Sequence, residues 1–353
     1  MGPLLLKPFY LSPIWGGPRI AQARGIPWTE ADNHGESFDV SAHPSTMGVV
    51  LNGPCAGMTL AEAIDDHREE ILGDVPDDTP IQVVFMDPIQ TLSVQVHPDE
   101  AYAQAAEGDH GKVEAWYVLD ANPGATLIAG CTTDDLDALR AAAADDTIGE
   151  LYGKRIQMHA GDFILIPPGT LHALGAGIFA VEIGSLGNTT YRICDWGRGR
   201  KLHVDKAFDV LDTASKPSIT RLGSPRNAVA NQERLGVDAG FYQSYVVDVA
   251  SRMEFACNGR YAVITCVDGT ACVQTPQGSV TLGATQSCLI PACAKTYAIE
   301  GRCRVLRSIR TPALRRSHHE ACCHHRSDRI PRKPRAPVQP GPLYLCPHQS
   351  GRC

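Results

Sequence analysis

From about residue 241 to 309 the chain breaks into short apolar runs, YAVITCV, ACVQT, SVTLG, SCLIPA and YAIEG, separated by Gly, Asn or Pro. Runs this short, with turns roughly every 8–12 residues, suit antiparallel strands and leave no room for long helices. The same punctuation appears earlier, in IQVVFMD (81–87), LSVQVH (92–97), VEAWYVL (113–119), ATLIAG (125–130), IQMHAGDFILIPPG (156–169) and GIFAVEI (177–183). The expected fold is therefore mainly β: a β-barrel or sandwich with a few helices, followed by a second, smaller β domain. Helices are expected where the period changes. Thr59 and Glu62 form a capping box that opens a helix to about Ile71, with Gly73 as its stop. Residues 98–108 form a short helix with acidic residues in its first turn. Residues 133–152 are helical with a break near Gly149, and 203–214 are helical. Residues 1–57, rich in Pro and Gly, are expected to be extended arms and loops.

At 353 residues the chain has room for about two domains and a full core without disulfides. With 43% apolar and 20% charged residues it is neither collagen, coiled coil nor wholly disordered. No run approaches the roughly 18 apolar residues of a membrane span, and the opening MGPLLLKPFYLSPIWGG lacks the pattern of a signal peptide. The expectation is a cytoplasmic protein without a membrane partner. Residues 310–353 hold nine Lys+Arg against two Asp+Glu, so the rest of the chain carries −14 of the net −7. An acidic body is a poor surface for nucleic acid. The basic Pro/Arg/Cys/His-rich end, 310–353, is expected to be a disordered tail. Its adjacent Cys322–Cys323 and His324–His325 lack the spacing that lets two pairs converge on one zinc. Thirteen Cys with no C-x-x-C pair are expected to be reduced, those in the β-rich part serving as small core hydrophobes.

The chemistry concentrates in LSVQVHPDE and GDFILIPPGTLH. Residues two apart in a strand share a face, so Ser93, Gln95 and His97 point the same way. Glu114 opens the next apolar strand. The second stretch fits G-x5-P-x-G-x2-H, with Gly161, Pro167, Gly169 and His172: an apolar strand ends at a Pro/Gly turn that aims the next strand's His inward. Gln95, His97, Glu114 and His172 make an O, N, O, N set with a single carboxylate. A divalent ion held by that set keeps net positive charge and acts as a Lewis acid.

These two half-motifs resemble the cupin superfamily and, more closely, the class I mannose-6-phosphate isomerases in their short bacterial form. The likeness rests on KPFYLSPIWGG, GESFDVSAHP, LNGP, LSVQVHPDEAYA, GKVEAWYVL, GDFILIPPGTLHALG and TTYRICDWGR. It is good over 3–215 and loose over 216–309, and the tail has no counterpart. The resemblance implies a jelly-roll catalytic domain over 1–215, a second β domain without a metal site over 216–309, and one Zn2+ per chain. It further implies that Gln95, His97, Glu114 and His172 are the zinc ligands, Lys112 and Arg192 are catalytic, and Ser93, Glu182 and Arg198 bind substrate. The implied reaction interconverts mannose 6-phosphate and fructose 6-phosphate through an enediolate. The implied partner is a small sugar phosphate, with the chain a monomer or weak homo-oligomer. The residues alone do not identify the base that moves the proton.

Three positions depart from the family pattern. Val84 stands where a phosphate-holding lysine is usual, Asn188 where an acid is usual, and Gly184-Ser185 where Gln-Gln is usual. These changes keep open a metal- and sugar-binding cupin with weak or no turnover. The set His97, Glu114, His172 also resembles the two-His-one-carboxylate site of iron oxygenases; Gln95 and the Lys112/Arg192 pair count against that reading.

Overall fold

A computed structural model describes residues 1–311. Those residues are mainly β and are organised as layered antiparallel sheets. A seven-stranded sheet runs in the order Ser218–Arg221, Asp162–Ile166, Glu114–Ala121, Ile178–Gly184, Gln82–Met86, Glu36–Val40, Phe9–Leu11. A five-stranded sheet runs Tyr191–Cys194, Val94–Val96, His172–Ala173, Thr126–Cys131, Gly153–Gln157. Alternating apolar side chains of the two sheets, among them Trp116, Val118 and Ile164 from one and Leu127 and Ala129 from the other, pack into one core. The mainly β, cupin-type expectation holds, with open facing sheets rather than a closed barrel.

The outer faces of these sheets are covered as well. Leu139, Ala142 and Ala143 of the helix Leu136–Ala144 pack with Val94, Val96 and Ile128 of the five-stranded sheet. Outward residues of the seven-stranded sheet, including Tyr117, Phe163 and Val181, pack with Val246, Tyr261 and Leu306 of a third, nine-stranded sheet. Strands between 232 and 310 supply seven of its members. The other two, Leu4–Lys7 and Val49–Val50, come from the N-terminus, Leu4 lying opposite Leu289. Conversely, Ser218–Arg221 pairs with Asp162–Ile166 in the seven-stranded sheet.

Several local expectations hold in detail. The helix Leu60–Ile71 has both reciprocal bonds of the Thr59/Glu62 capping box, and the helix Glu100–Glu107 begins at the cap Asp99 and stops at the left-handed Gly108. Others are corrected. The N-terminal 57 residues include four strands and the helix Arg19–Arg24 in place of free arms, because distant strands complete their hydrogen bonding. The break in 133–152 falls at Asp145–Thr147, where Asp146 takes φ 57°, and not at Gly149. Gly149 lies inside the helix Ile148–Leu151, where a Cβ would sit 2.5 Å from both Trp196 and Val94. Arg310 is no part of a tail: it ends the strand Thr296–Arg310, is 1% exposed, and pairs with Asp77. The rest of the expected tail, with its Cys and His cluster, lies outside the described residues.

Candidate metal centre and active site

Strand register assembles the centre. Arg192, Gln95 and His172 occupy one cross-strand row of the five-stranded sheet, so their side chains leave it on the same side. Glu114 enters from the opposing sheet, where it lies beside Gly184. His97 follows the strand Val94–Val96, and its carbonyl accepts from Gly169 N, which ties it to the Pro167–Gly169 turn. Gly169 itself takes φ 78°, and a Cβ there would meet Val210 O at 2.7 Å. The turn in the second half-motif thus needs its glycine.

His97, Glu114 and His172 are each 1% exposed, and one ligand atom from each lies within 4.8 Å of the others. Each imidazole has its Nδ1 at a backbone carbonyl, His97 at Thr189 O (2.9 Å) and His172 at Thr170 O (2.8 Å). Nδ1 therefore carries the proton in both rings, and Nε2 presents its lone pair to Glu114. The Nε2 atoms stand 3.6 Å (His97) and 3.2 Å (His172) from the carboxylate oxygens. Although close, His97 Nε2 and Glu114 Oε1 receive no well-directed hydrogen bond, and Glu114 Oε2 has Lys112 beside it. Buried polar atoms left unpaired are costly, so this trio is built around something that takes their lone pairs. Gln95 stands beside it, with Nε2 3.4 Å from His172 Nε2 and Oε1 accepting from Ser93 Oγ at 3.2 Å. Oxygen ligation by Gln95 therefore needs the amide turned over, an exchange of two near-isosteric ends.

Lys112 Nζ bridges two buried carboxylates, Glu114 Oε2 at 3.0 Å and Glu182 Oε1 at 2.8 Å. Against burial, which opposes its charge, Glu114 and Glu182 raise the Lys112 pKa above its ordinary value. Burial pulls the other way at Glu114 too, yet Lys112 and then His97 hold it well below the usual carboxylate range. Burial, followed by the neighbouring Glu114, pushes Glu182 up to about 8. Burial likewise lowers His97 to about 3. Trp116 Nε1 donates to the other Glu182 oxygen at 3.2 Å. Lys112 owes its position to Ser185, whose hydroxyl accepts from Val113 N and donates to Gly111 O. One of the departures from the family pattern thus has a structural task. Val84 is buried in the core between Phe38 and Glu182 in register.

At the other rim, Asp195 gathers Arg198 (3.2 Å) and Arg200 (2.5 Å). Arg192 Nε is left 4.0 Å from Asp195 without a hydrogen bond, and its Nη1 donates to Lys201 O. Arg192 is thus a mostly buried guanidinium with no carboxylate of its own. It does not pair with Glu182, whose ion-pair partner is Lys112.

The sequence reading missed Glu36. Its strand places it on the same inner face as Phe38, and its charge is felt by Lys112 and Glu114. Burial pushes its carboxyl up to about 7, with Lys112 opposing. The period-two pattern Glu36, Phe38 in GESFDV was the available signal. Of the three inward carboxyl groups, Glu36, Glu114 and Glu182, burial raises the first and last, and Glu114 is the one held ionised beside Lys112.

Comparison with known proteins gives the same direction. The family described as phosphomannose isomerase type I, catalytic domain, matches residues 4–132. The mannose-6-phosphate isomerase cupin domain matches 237–310. A mannose-6-phosphate isomerase of Streptococcus mutans is 32% identical over 328 residues, covering 87% of this chain and 98% of that protein. The crystal structure of the mannose 6-phosphate isomerase from Bacillus subtilis superposes with a TM-score of 0.75 at 27% identity, over 87% of this chain and 99% of that one. A zinc-bound mannose 6-phosphate isomerase shares the fold, with a TM-score of 0.67 at 14% identity over 88% of this chain and all of that one. Likeness along almost the full length of the Streptococcus protein makes this chain a member of the mannose-6-phosphate isomerase family.

Proposed function

We propose that the protein is a zinc-dependent aldose–ketose isomerase that interconverts mannose 6-phosphate and fructose 6-phosphate. The observation that carries the reading is the buried trio His97, Glu114 and His172, whose ligand atoms converge within 4.8 Å beside Lys112, with His97 Nε2 left without a hydrogen bond. Both imidazoles are fixed with Nε2 free, and the carboxylate is ionised, so the donor set fits Zn2+, with Gln95 as fourth ligand. When bound, the ion supplies Lewis-acid polarisation of the sugar's carbonyl oxygen. The chain's own residues do the rest. Lys112 holds Glu114 and Glu182 apart and keeps positive charge at one wall. Arg192, which shares Asp195 at 4.0 Å with Arg198 and Arg200, supplies a second fixed cation whose attraction grows as the substrate gains negative charge. Ser93, Glu182 and Arg198 line the substrate space, with the Arg198 guanidinium held at the rim by Asp195, 3.2 Å from its Nη2. Residues 1–215 carry this chemistry, and 216–309 brace it. We place the enzyme in the cytoplasm, acting on a small sugar phosphate as a monomer or weak homo-oligomer.

A coupled isomerase assay on mannose 6-phosphate, run before chelation, after it and after zinc return, tests the reading. Activity that falls with chelation and returns with zinc is expected, and His97→Ala and His172→Ala each lose the metal. Stoichiometric zinc without turnover would instead support the sugar-binding cupin, and full metal retention by both variants would overturn the site.

A further inference from the structure

Three loops meet behind His97. One follows the strand Glu36–Val40 and carries His43; one follows the helix Glu100–Glu107 and carries Asp109; one precedes the strand Tyr191–Cys194 and carries Asn188 and Thr189. Asp109 is the hub. Its Oδ2 accepts from Thr189 Oγ1 at 2.6 Å and from Asn188 N at 3.3 Å. Its Oδ1 accepts from its neighbour's backbone, His110 N, at 2.7 Å, and lies 3.2 Å from His43 Nε2. His43 Nδ1 accepts from Ser45 N, so the ring proton sits on Nε2 and is donated to Asp109. The side chains are 17% (Asp109) and 16% (His43) exposed, so the cluster is shielded from bulk water. The loops also touch directly: a Cβ on Gly187 would lie 2.2 Å from His110 O.

The Thr189 backbone carbonyl is the one that accepts from His97 Nδ1. Asp109 thus grips the same residue whose carbonyl sets the tautomer and direction of the His97 ring. We propose that Asp109, oriented by His43, is a positioning residue of the metal centre: it fixes the Thr189 carbonyl so that His97 Nε2 stays aimed at the site. It touches neither metal nor substrate. Groups that orient a ligating imidazole through its second nitrogen typically govern metal affinity by about 10–100-fold. Asp109 does so at one remove, through a threonine that offers its hydroxyl to the carboxylate and its carbonyl to the ring.

The proposal rests on the zinc site proposed above, and its test separates the two. Zinc affinity is measured by competition with a chromophoric chelator on wild type, Asp109→Asn, Thr189→Val, Thr189→Ser and the Asp109→Asn/Thr189→Val double variant. Thr189→Val keeps the shape and the backbone carbonyl and deletes only the hydroxyl; Thr189→Ser keeps the hydroxyl. Asp109→Asn and Thr189→Val are each expected to weaken zinc by about 10–100-fold, with Thr189→Ser within about threefold of wild type. The double variant is expected to be no worse than the weaker single, because both remove one shared bond. If Asp109→Asn fails to fold, Thr189→Val against Thr189→Ser decides alone. A wild type that takes up no zinc overturns the site and the proposal with it. A wild type that binds zinc while Thr189→Val and Asp109→Asn match its affinity overturns the clamp alone, whatever happens to their melting temperatures.

Discussion

Replacing Lys112 by Met removes the one ammonium that lies 2.8 Å from Glu182 and 3.0 Å from Glu114. Methionine keeps the length and apolar stem of the side chain, so packing changes little. Taking one partner from a buried pair costs about 3–5 kcal/mol, because the other charge stays behind unpaired. Glu182, already pushed up to about 8, answers by holding its proton near neutral pH. One carboxylate, Glu114, is then left uncompensated, so the lower end of the range applies. At roughly 2 °C per kcal/mol for a chain this long, the metal-free variant is expected to melt about 6 °C below wild type. Zinc acts in the opposite sense. Lys112 competes for the Glu114 oxygen and repels a divalent ion, so the variant is expected to bind zinc about tenfold more tightly. Saturating zinc then raises its melting temperature more than that of wild type. Turnover still falls by about 100-fold or more, since a fixed cation at the reacting oxygens is gone. Thermal melts with and without zinc, a chelator competition and the coupled assay read all three. An unchanged metal-free melt, or zinc binding weaker than wild type, would refute the account of Lys112 as a charge wedged between two carboxylates.

Arg192→Ala is expected to lower kcat by roughly 10²–10³ with KM, zinc content and melting temperature almost unchanged, because its carboxylate neighbour, Asp195 at 4.0 Å, keeps the closer Arg198 and Arg200; Arg192→Lys recovers part of the rate. Unchanged kcat would return Arg192 to the role of a surface cation. Gly161→Ala is expected to destabilise by more than the ~1–3 kcal/mol of a left-handed alanine, since φ is 88° and the new Cβ would lie 2.0 Å from Gly223 O. Gly124→Ala, at φ 77° with open space around it, isolates the backbone term and is expected to cost less in the same melt.

The parts of the fold legible in the sequence are those decided locally. The capping box at Thr59 and Glu62 and the Gly108 stop are satisfied within a few residues, and the structure has them where they were expected. Strand phase was enough to bring Ser93, Gln95 and His97 to one face, and the Pro167–Gly169 turn to bring His172 beside them. The N-terminal strands were illegible for the opposite reason. Leu4 meets Leu289 across almost the whole chain, and nothing in PLLLKPF names that partner. Glu36 was passed over because its strand is short and lies in a stretch read as loop. Asp109 gave no local sign at all: GDHGK looks like a polar turn, and its carboxylate has a purpose only once Thr189 folds against it.

The nine-stranded sheet brings no imidazole, since the chain has no His from 204 to 317, yet it bears on the chemistry. Its side chains bond the outer face of the very strands whose inner face carries the site. Tyr242 Oη donates to Ile183 O at 2.5 Å, next to Glu182. Arg304, 1% exposed and paired with Asp248, reaches Tyr117 Oη at 3.2 Å, next to Trp116. Tyr261 Oη accepts from Ile81 N at the start of the adjoining strand. In a strand, alternate residues face opposite ways, so pinning 117 and 183 from outside fixes where 114, 116 and 182 point inside. A site that needs two carboxylates held within 3 Å of one ammonium gains more from that rigidity than from further polar groups. A whole sheet can therefore be free of ligands and still belong to the catalytic apparatus, as the frame against which the reacting face is held.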